Sequence, residues 1–362
     1  MQVHSAHGRM APVNVVGLDV SFRRLDGGGK RVQAFLSALE TTELAAEPIG
    51  VGPQGIAGAE RVVVSPLHKL KRRVLPIQLR RPVETELGMV AHRGPTISLT
   101  PAANRWALLG PPVWLDFPDL WSNIARNHAH TVGAIAACTS LVQARLWSRR
   151  ESQEYEKADV ITTASLADKQ QLGERAVWLP TPVAETDAPL KRRRESFQKC
   201  SVTYGMLANF DYPPNRDAYD RLTRQWLPRL PRVNRIVVAG FGSEKLPSAG
   251  GATAIGAVDN VADFYDQVDV VLAPIYRGGG MKVKVVEAMM HGRPVLASEH
   301  ARSGLPAAIA EECVKWERAT DDFVDHLSDP RNRSAVVSEL ELFTFASFKS
   351  TFNTLWQRRM VE

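Results

Sequence analysis

Cysteine is scarce. There are three in 362 residues, Cys138, Cys200 and Cys313, far apart and with no CxxC pair. That excludes a disulfide framework and a paired-cysteine zinc site, and it fits a reducing compartment. Long apolar runs are missing too: the longest, such as Val268 to Ile275, fall well short of the ~20 residues that span a bilayer. The opening MQVHSAHGRMAPVNVVGLDV has no basic segment leading into an apolar core, so no signal peptide is expected. Zinc-finger spacing and ribonucleoprotein aromatic motifs are absent, which sets nucleic acid aside as a partner. A soluble or peripheral protein of the cytoplasm is expected, with the inner face of the membrane as its other setting.

What is present is ordinary globular composition, 44% hydrophobic and 23% charged, on a chain long enough for two domains. The formal charge is +6. Basic residues gather in His68 to Arg81 (HKLKRRVLPIQLRR) and Lys191 to Arg194 (KRRR). Each reads either as a solvated face or linker or as an anionic-surface contact, and residues 68–81 are the candidate for peripheral membrane contact.

Short apolar runs alternate with amphipathic stretches, the pattern of parallel α/β units. In the first half, strands are expected at Val13–Val20, Arg61–Ser65, Val113–Asp116, Ala158–Ala164 and Ala176–Leu179. The turn Asp26-Gly27-Gly28-Gly29 precedes a helix from Lys30, in which Val32, Phe35, Leu36 and Leu39 share a face. A long helical region lies between Leu120 and Ala158. Residues 183–199 are Pro-, Thr- and charge-rich and read as a linker. In the second half, strands are expected at Ser201–Leu207, Arg235–Ala239, Val268–Ala273 and Pro294–Ala297, and helices at Asn215–Leu227 and Lys282–His291. The tail from Ser334 to Met360 reads as helical.

The segment Val270 to Ser298 (VVLAPIYRGGGMKVKVVEAMMHGRPVLAS) is the most informative. A buried strand leads through three glycines into a helix whose start carries Lys282 and Lys284. Such a turn lets backbone N–H groups approach a phosphate, and the helix N-terminus adds partial positive charge. The alternative is a tight turn with a solvated lysine face. Glu287 can lie on the ligand-facing side and accept bonds from sugar hydroxyls.

Gly278-Gly279-Gly280-Met281-Lys282-Val283-Lys284 through Glu287-Ala288, followed by Gly292-Arg293-Pro294-Val295, resembles the donor-site signature of family-4-type glycosyltransferases of the GT-B group. Upstream, Gly205-Met-Leu-Ala-Asn209 with Pro214-Asn215 is similar to the opening of that group's C-terminal domain. The resemblance covers residues 201–305. In the first half it rests on Gly27–Gly29 and Lys157-Ala-Asp159. It implies an α/β fold of two Rossmann-like doubly wound domains facing a cleft. Residues 1–182 form the acceptor domain and 200–334 the donor domain, with 335–362 packing back on the first.

The resemblance further implies a hexosyltransferase that uses a nucleoside-diphosphate sugar with retention, with a small-molecule or lipid-linked acceptor. Gly28, Gly29, Asn209, Gly278, Gly279, Gly280, Met281, Lys282, Lys284 and Glu287 would hold the donor, Glu287 at the ribose and the glycine loop at the diphosphate. No cofactor and no metal are expected. Two departures stand out. Gly279 occupies the place of a first Glu, and the usual Arg and Lys near Asn209 to Asn215 are missing, with Lys282 and Lys284 as substitutes. On the acceptor side Asp116 and Asp119 (WLDFPDLWS) either hold an acceptor hydroxyl and serve as base or, for Asp119, cap a helix. With Lys282 they make up the catalytic candidates. A non-catalytic nucleotide-sugar sensor or partner subunit, and an epimerase or hydrolase on the same fold, are the alternatives.

Overall fold

The computed structural model describes residues 11–22, 27–42, 44–52, 55–57, 92, 94–110, 112–130, 132–183, 201–318 and 333–360. The basic clusters at 68–81 and 191–194, the strand expected at Arg61–Ser65 and nearly all of the linker lie outside them.

Two sheets organise the chain. The first contains β1 (Val13–Leu18), β2 (Ala46–Gly52), β3 (Gly55–Ala57), β4 (Thr96–Ser98), β5 (Val113–Phe117), β6 (Val160–Thr163) and β7 (Val177–Trp178), in the order β3-β2-β1-β4-β5-β6-β7. All its pairings are parallel except β2 with β3 at the edge. The second contains β8 (Val202–Leu207), β9 (Val233–Ala239), β10 (Ala252–Ala254), β11 (Val270–Ala273), β12 (Val295–Ala297) and β13 (Val314–Lys315), ordered β10-β9-β8-β11-β12-β13 and wholly parallel. In both, the order reverses beside the first strand, at β1/β4 and at β8/β11. This is the doubly wound arrangement, in which a crevice opens outside the strands' carboxyl ends. Strands β4, β5, β6, β11 and β12 are buried along their length, as sheets covered on both faces require.

The principal helices are α1 (Gly27–Thr41), α2 (Trp121–Ala129), α3 (Ala134–Tyr155), α4 (Leu166–Leu172), α5 (Pro213–Arg221), α6 (Val261–Gln267), α7 (Val283–Met290), α8 (Arg333–Glu341) and α9 (Phe345–Arg359). Phe35 of α1 packs edge-on against Trp114 of β5 and against Phe348 and Phe352 of α9. The last helix therefore crosses back onto the first sheet, burying Phe348, Phe352 and Trp356 in that half's core.

Several elements refine or depart from the sequence expectation. The tail is two helices, because Thr344 ends one and caps the next: its hydroxyl donates to the Glu341 carbonyl and accepts from the Ser347 N–H. Leu340 and Phe343 are buried in the second half's core. The crossing thus follows Phe343, later than the expected 335. The region from Leu120 to Ala158 is likewise two helices, α2 and α3. The helix expected to reach Leu227 stops at Arg221, beyond which a wider turn runs to Trp226. Strands β2 (AEPIGVG) and β4 (TIS) were not anticipated, since one carries Pro and Gly and the other is three residues long.

Candidate functional site

The carboxyl ends of the two sheets face each other across a cleft of about 520 Å³. Leu18, Gly27, Gly28, Lys30, Leu99, Thr100, Asp119 and Trp121 line it from the first half. Asn209, Tyr212, Asn215, Arg277–Gly279, Met281–Lys284 and Glu287 line it from the second. Both α1 and α7 open onto it with their N-terminal ends.

Gly278 and Gly280 have φ of 109° and 61°, backbone that only glycine adopts without strain. Their surroundings add a second constraint. A Cβ on Gly280 would sit 1.9 Å from Asp119 Oδ1, and one on Gly279 would lie 2.7 Å from Ile124 Cγ1 and 3.0 Å from Asp119 Oδ1. The loop is pressed against the first half of the chain, so glycine is needed for that approach as well as for any ligand. Gly27, Gly28 and Gly29 are the first turn of α1 rather than a turn ahead of it; Gly27 and Gly28 line the cleft and Gly29 is buried.

Lys282 stands at the N-cap of α7, where it turns inward and donates to the carbonyls of Gly279 (3.1 Å) and Gly280 (2.8 Å). Burial lowers its pKa, against the pull of Asp119 and Asp168. Lys284 donates to Asn215 Oδ1 at 3.0 Å, and burial brings its ammonium down to about 8. Asn209 is tied into the loop below, accepting through Oδ1 from the Asp211 N–H and through its carbonyl from Asn215 Nδ2. The ring of His300 donates from Nε2 to the Gly278 carbonyl at 3.0 Å; burial pushes its pKa to about 4, leaving it neutral.

Glu287 is buried at the cleft wall, and its two oxygens have different partners. Oε1 accepts from Lys30 Nζ of α1, an ion pair that joins the two halves. Oε2 accepts from the Tyr265 hydroxyl at 3.0 Å. The carboxylate is held rigidly, and its remaining lone pairs are available at the cleft.

Two aspartates expected at the acceptor side have parted company. Asp116 is fully buried beneath the cleft, where Arg31 clasps it with Nε to Oδ2 (2.6 Å) and Nη2 to Oδ1, and Thr162 donates to Oδ1 (2.6 Å). Arg31 also donates to the Leu179 carbonyl and to Thr181. With both oxygens engaged and no exposure, Asp116 does not face an acceptor, which corrects its expected role as base. Asp119 does face the cleft. Burial raises its pKa to about 6, with Lys282 opposing. It is not a helix cap, because Leu120 holds that position and makes no side-chain cap bond. Behind it, buried Asp168 accepts from Asn123 Nδ2 (2.7 Å) and the Leu120 N–H (3.4 Å), fixing the start of α2.

Sequence reading passed over Lys30, Arg277 and Tyr265. The first two had a signal, since Lys30 follows Gly27–Gly29 and Arg277 immediately precedes Gly278. Arg277 lies 3.3 Å from Asp217, with an Nε that makes no hydrogen bond among the described residues. Tyr265 had none, because its partnership with Glu287 joins different elements. Among the described residues no group of three His, Cys, Asp or Glu side chains is placed to hold a metal ion, and no helix is long and apolar enough to cross a membrane.

Residues 201–330 match the family described as Glycosyl transferases group 1. Comparison with curated proteins found no match. Among solved structures, the chain is similar to OtsA in its apo form, at 11% identity and TM-score 0.57, covering 97% of this chain and 100% of that one. It is also similar to Anabaena HepE in complex with UDP and glucose (12%, TM-score 0.51, 96% and 100% covered). A glycosyltransferase from Rickettsia africae is comparable (10%, TM-score 0.51, 97% and 99% covered). Residues 201–330 thus match the glycosyltransferase group 1 model, within a chain whose two doubly wound sheets have the GT-B fold.

Proposed function

We propose that the protein transfers a hexose-type sugar from a nucleoside diphosphate to an acceptor bound at the first half of the cleft. One observation carries this reading. The N-terminal ends of α1 and α7 and the side chains of Lys30, Arg277, Lys282 and Lys284 converge on one cleft that also holds a fixed carboxylate, Glu287. Converging positive potential suits a diphosphate, and a rigid carboxylate suits a ribose diol. The volume is in the range of small-molecule sites.

In this reading the Gly278 and Gly279 backbone, Met281 and the start of α7 receive the diphosphate, and Gly28 supplies an N–H group from across the cleft, whereas Gly29 and Gly280, expected at the donor from the sequence, do not line it. Asn209 holds the loop's flank. The bond from the anomeric carbon to the phosphate oxygen breaks as the bond to the acceptor oxygen forms, and the departing phosphate oxygen takes the acceptor proton. Charge growing on the diphosphate is met by the helix N-terminus, Lys282 and Lys284, so no metal ion enters the scheme. The anomeric configuration is retained. Asp119, neutral in part near pH 6, positions the acceptor hydroxyl. The acceptor half runs through residue 182 and the donor half from residue 200, and the acceptor is a small molecule or lipid-linked, met in the cytoplasm or at the inner membrane face.

The test is a thermal-shift panel of UDP-, GDP-, TDP- and ADP-sugars, begun with UDP-glucose because HepE was solved with UDP and glucose. A ligand at ~100 times its Kd adds about 2.7 kcal/mol. Nucleotide release that requires an added acceptor supports transfer. Release without one identifies a hydrolase, and binding without turnover identifies a sensor.

A further inference from the structure

Helices α2 and α3 form an antiparallel hairpin. The Ser122 N–H donates to Glu151 (3.1 Å), Trp121 packs on Trp147, and His128 Nδ1 meets Ser140 Oγ at 3.1 Å. Ser140 thus lies level with the end of α2. The first turns of α3 run beyond it, by about 9 Å at 1.5 Å per residue. This projecting end is apolar and uncovered: Ile135 is 86% exposed, Leu141 51% and Val142 56%, and Cys138 is exposed between them.

The pattern along α3 is ordered by distance from the tip. At 100° per residue, Ile135, Cys138, Val142, Arg145 and Arg149 fall on one stripe about 80° wide, with Leu141 beside it. The outer part of the stripe is apolar and the inner part is arginine, with Arg145 and Arg149 both exposed. From Leu120 to Arg150 the sequence has no acidic residue, while Arg126, His128 and His130 add to the basic character. An exposed apolar cluster with a cationic collar and no compensating acid matches the boundary of an anionic bilayer, where apolar side chains enter the acyl region and guanidinium groups meet phosphates. A self-complementary dimer through the same face would bury Arg145 and Arg149 with no carboxylate to answer them.

We propose that the exposed end of the α2–α3 hairpin docks the protein on an anionic lipid surface, with Ile135, Leu141 and Val142 entering the bilayer and Arg145 and Arg149 at headgroup level. This is a surface separate from the cleft and does not rest on the transfer reaction.

The experiment uses the full chain and vesicles of phosphatidylcholine alone or mixed with phosphatidylserine, read by flotation. Binding is expected with the mixed vesicles only, weakening as salt is raised. Ile135→Asp/Val142→Asp should lose roughly tenfold or more in binding while keeping its melting temperature and soluble donor binding, since both residues are exposed. A fluorophore on Cys138, in protein carrying Cys200→Ser, should shift to the blue on the mixed vesicles. The proposal is overturned if no vesicle is bound, if the double variant binds as the parent does, or if the parent forms a dimer that the double variant abolishes. Binding abolished by neutralising residues 68–81 and untouched by the hairpin variants overturns it as well.

Discussion

Gly27 to Gly29 in the first half and Gly278 to Gly280 in the second stand at the carboxyl edges of facing sheets, each ahead of a lysine, and the chain uses them differently. The first triplet is already helix, and a Cβ on Gly27 would meet Val283 at an ordinary 3.5 Å. The second is a loop with positive φ at two positions, closed down on Asp119 and Ile124. The lysines diverge in the same way. Lys30 reaches across to Glu287, whereas Lys282 folds back on its own loop. The lesson is that a glycine-rich turn before a cationic helix start does not by itself indicate one role. What presses against the glycines decides it.

The buried cations sharpen that contrast. Arg31 spends its charge within the first half, on Asp116. Asp116→Ala should leave that guanidinium buried and unpaired and cost about 3–5 kcal/mol of stability, visible as a large fall in melting temperature. A variant that melts normally yet fails to turn over would restore Asp116 as a catalytic group. Next in size is Gly280→Ala. The left-handed backbone and the collision with Asp119 together should cost about 2–4 kcal/mol and part the two halves, while Gly27→Ala should be close to neutral. Equal melting temperatures for these two variants would remove the distinction drawn between the triplets.

Glu287→Gln tests the cross-cleft pair. If the carboxylate accepts from the donor ribose, each charged bond lost should weaken donor binding by about 1.5–3 kcal/mol, measured by calorimetry. Lys30→Met should weaken it less, since the charge of that lysine is already paired with the carboxylate. Unchanged affinity in Glu287→Gln would move the ribose elsewhere.

The smallest effect is that of pH. With Lys284 at about 8 in the free protein, a bound diphosphate favours its charged form, so donor binding takes up a proton above that pH. Affinity should fall by up to about tenfold per unit as pH rises past 8, and Lys284→Met should flatten the profile. Asp119 acts on stability instead. Its pKa is raised from 3.8 to about 6, so the folded state holds the proton more tightly, and stability declines as pH rises through that window. Asp119→Asn should melt higher than the parent at pH 7 and alike at pH 4. A parent that gains stability between pH 4 and 6 through this residue would contradict the assignment.

The sequence by itself determined the α/β alternation, most inner strands of both sheets and the glycine–lysine–glutamate segment, because buried parallel strands and glycine-rich turns write themselves into local composition. It also marked Asp119, which does face the cleft. Only the tertiary structure separated Asp119 from Asp116, three residues earlier on the same edge. Which of two neighbouring carboxylates meets a buried arginine depends on where α1 packs, and no local pattern encodes that. The same holds for Lys30 with Glu287, 257 residues apart, and for Tyr265 behind them. The division of the tail at Thr344 was legible only as helix, since its break answers to Phe343 burying in one half and Phe348 in the other. Short-range sequence specifies elements through propensity and period. Charge partners, and the faces that glycines must clear, are set by elements distant in the chain meeting at one cleft.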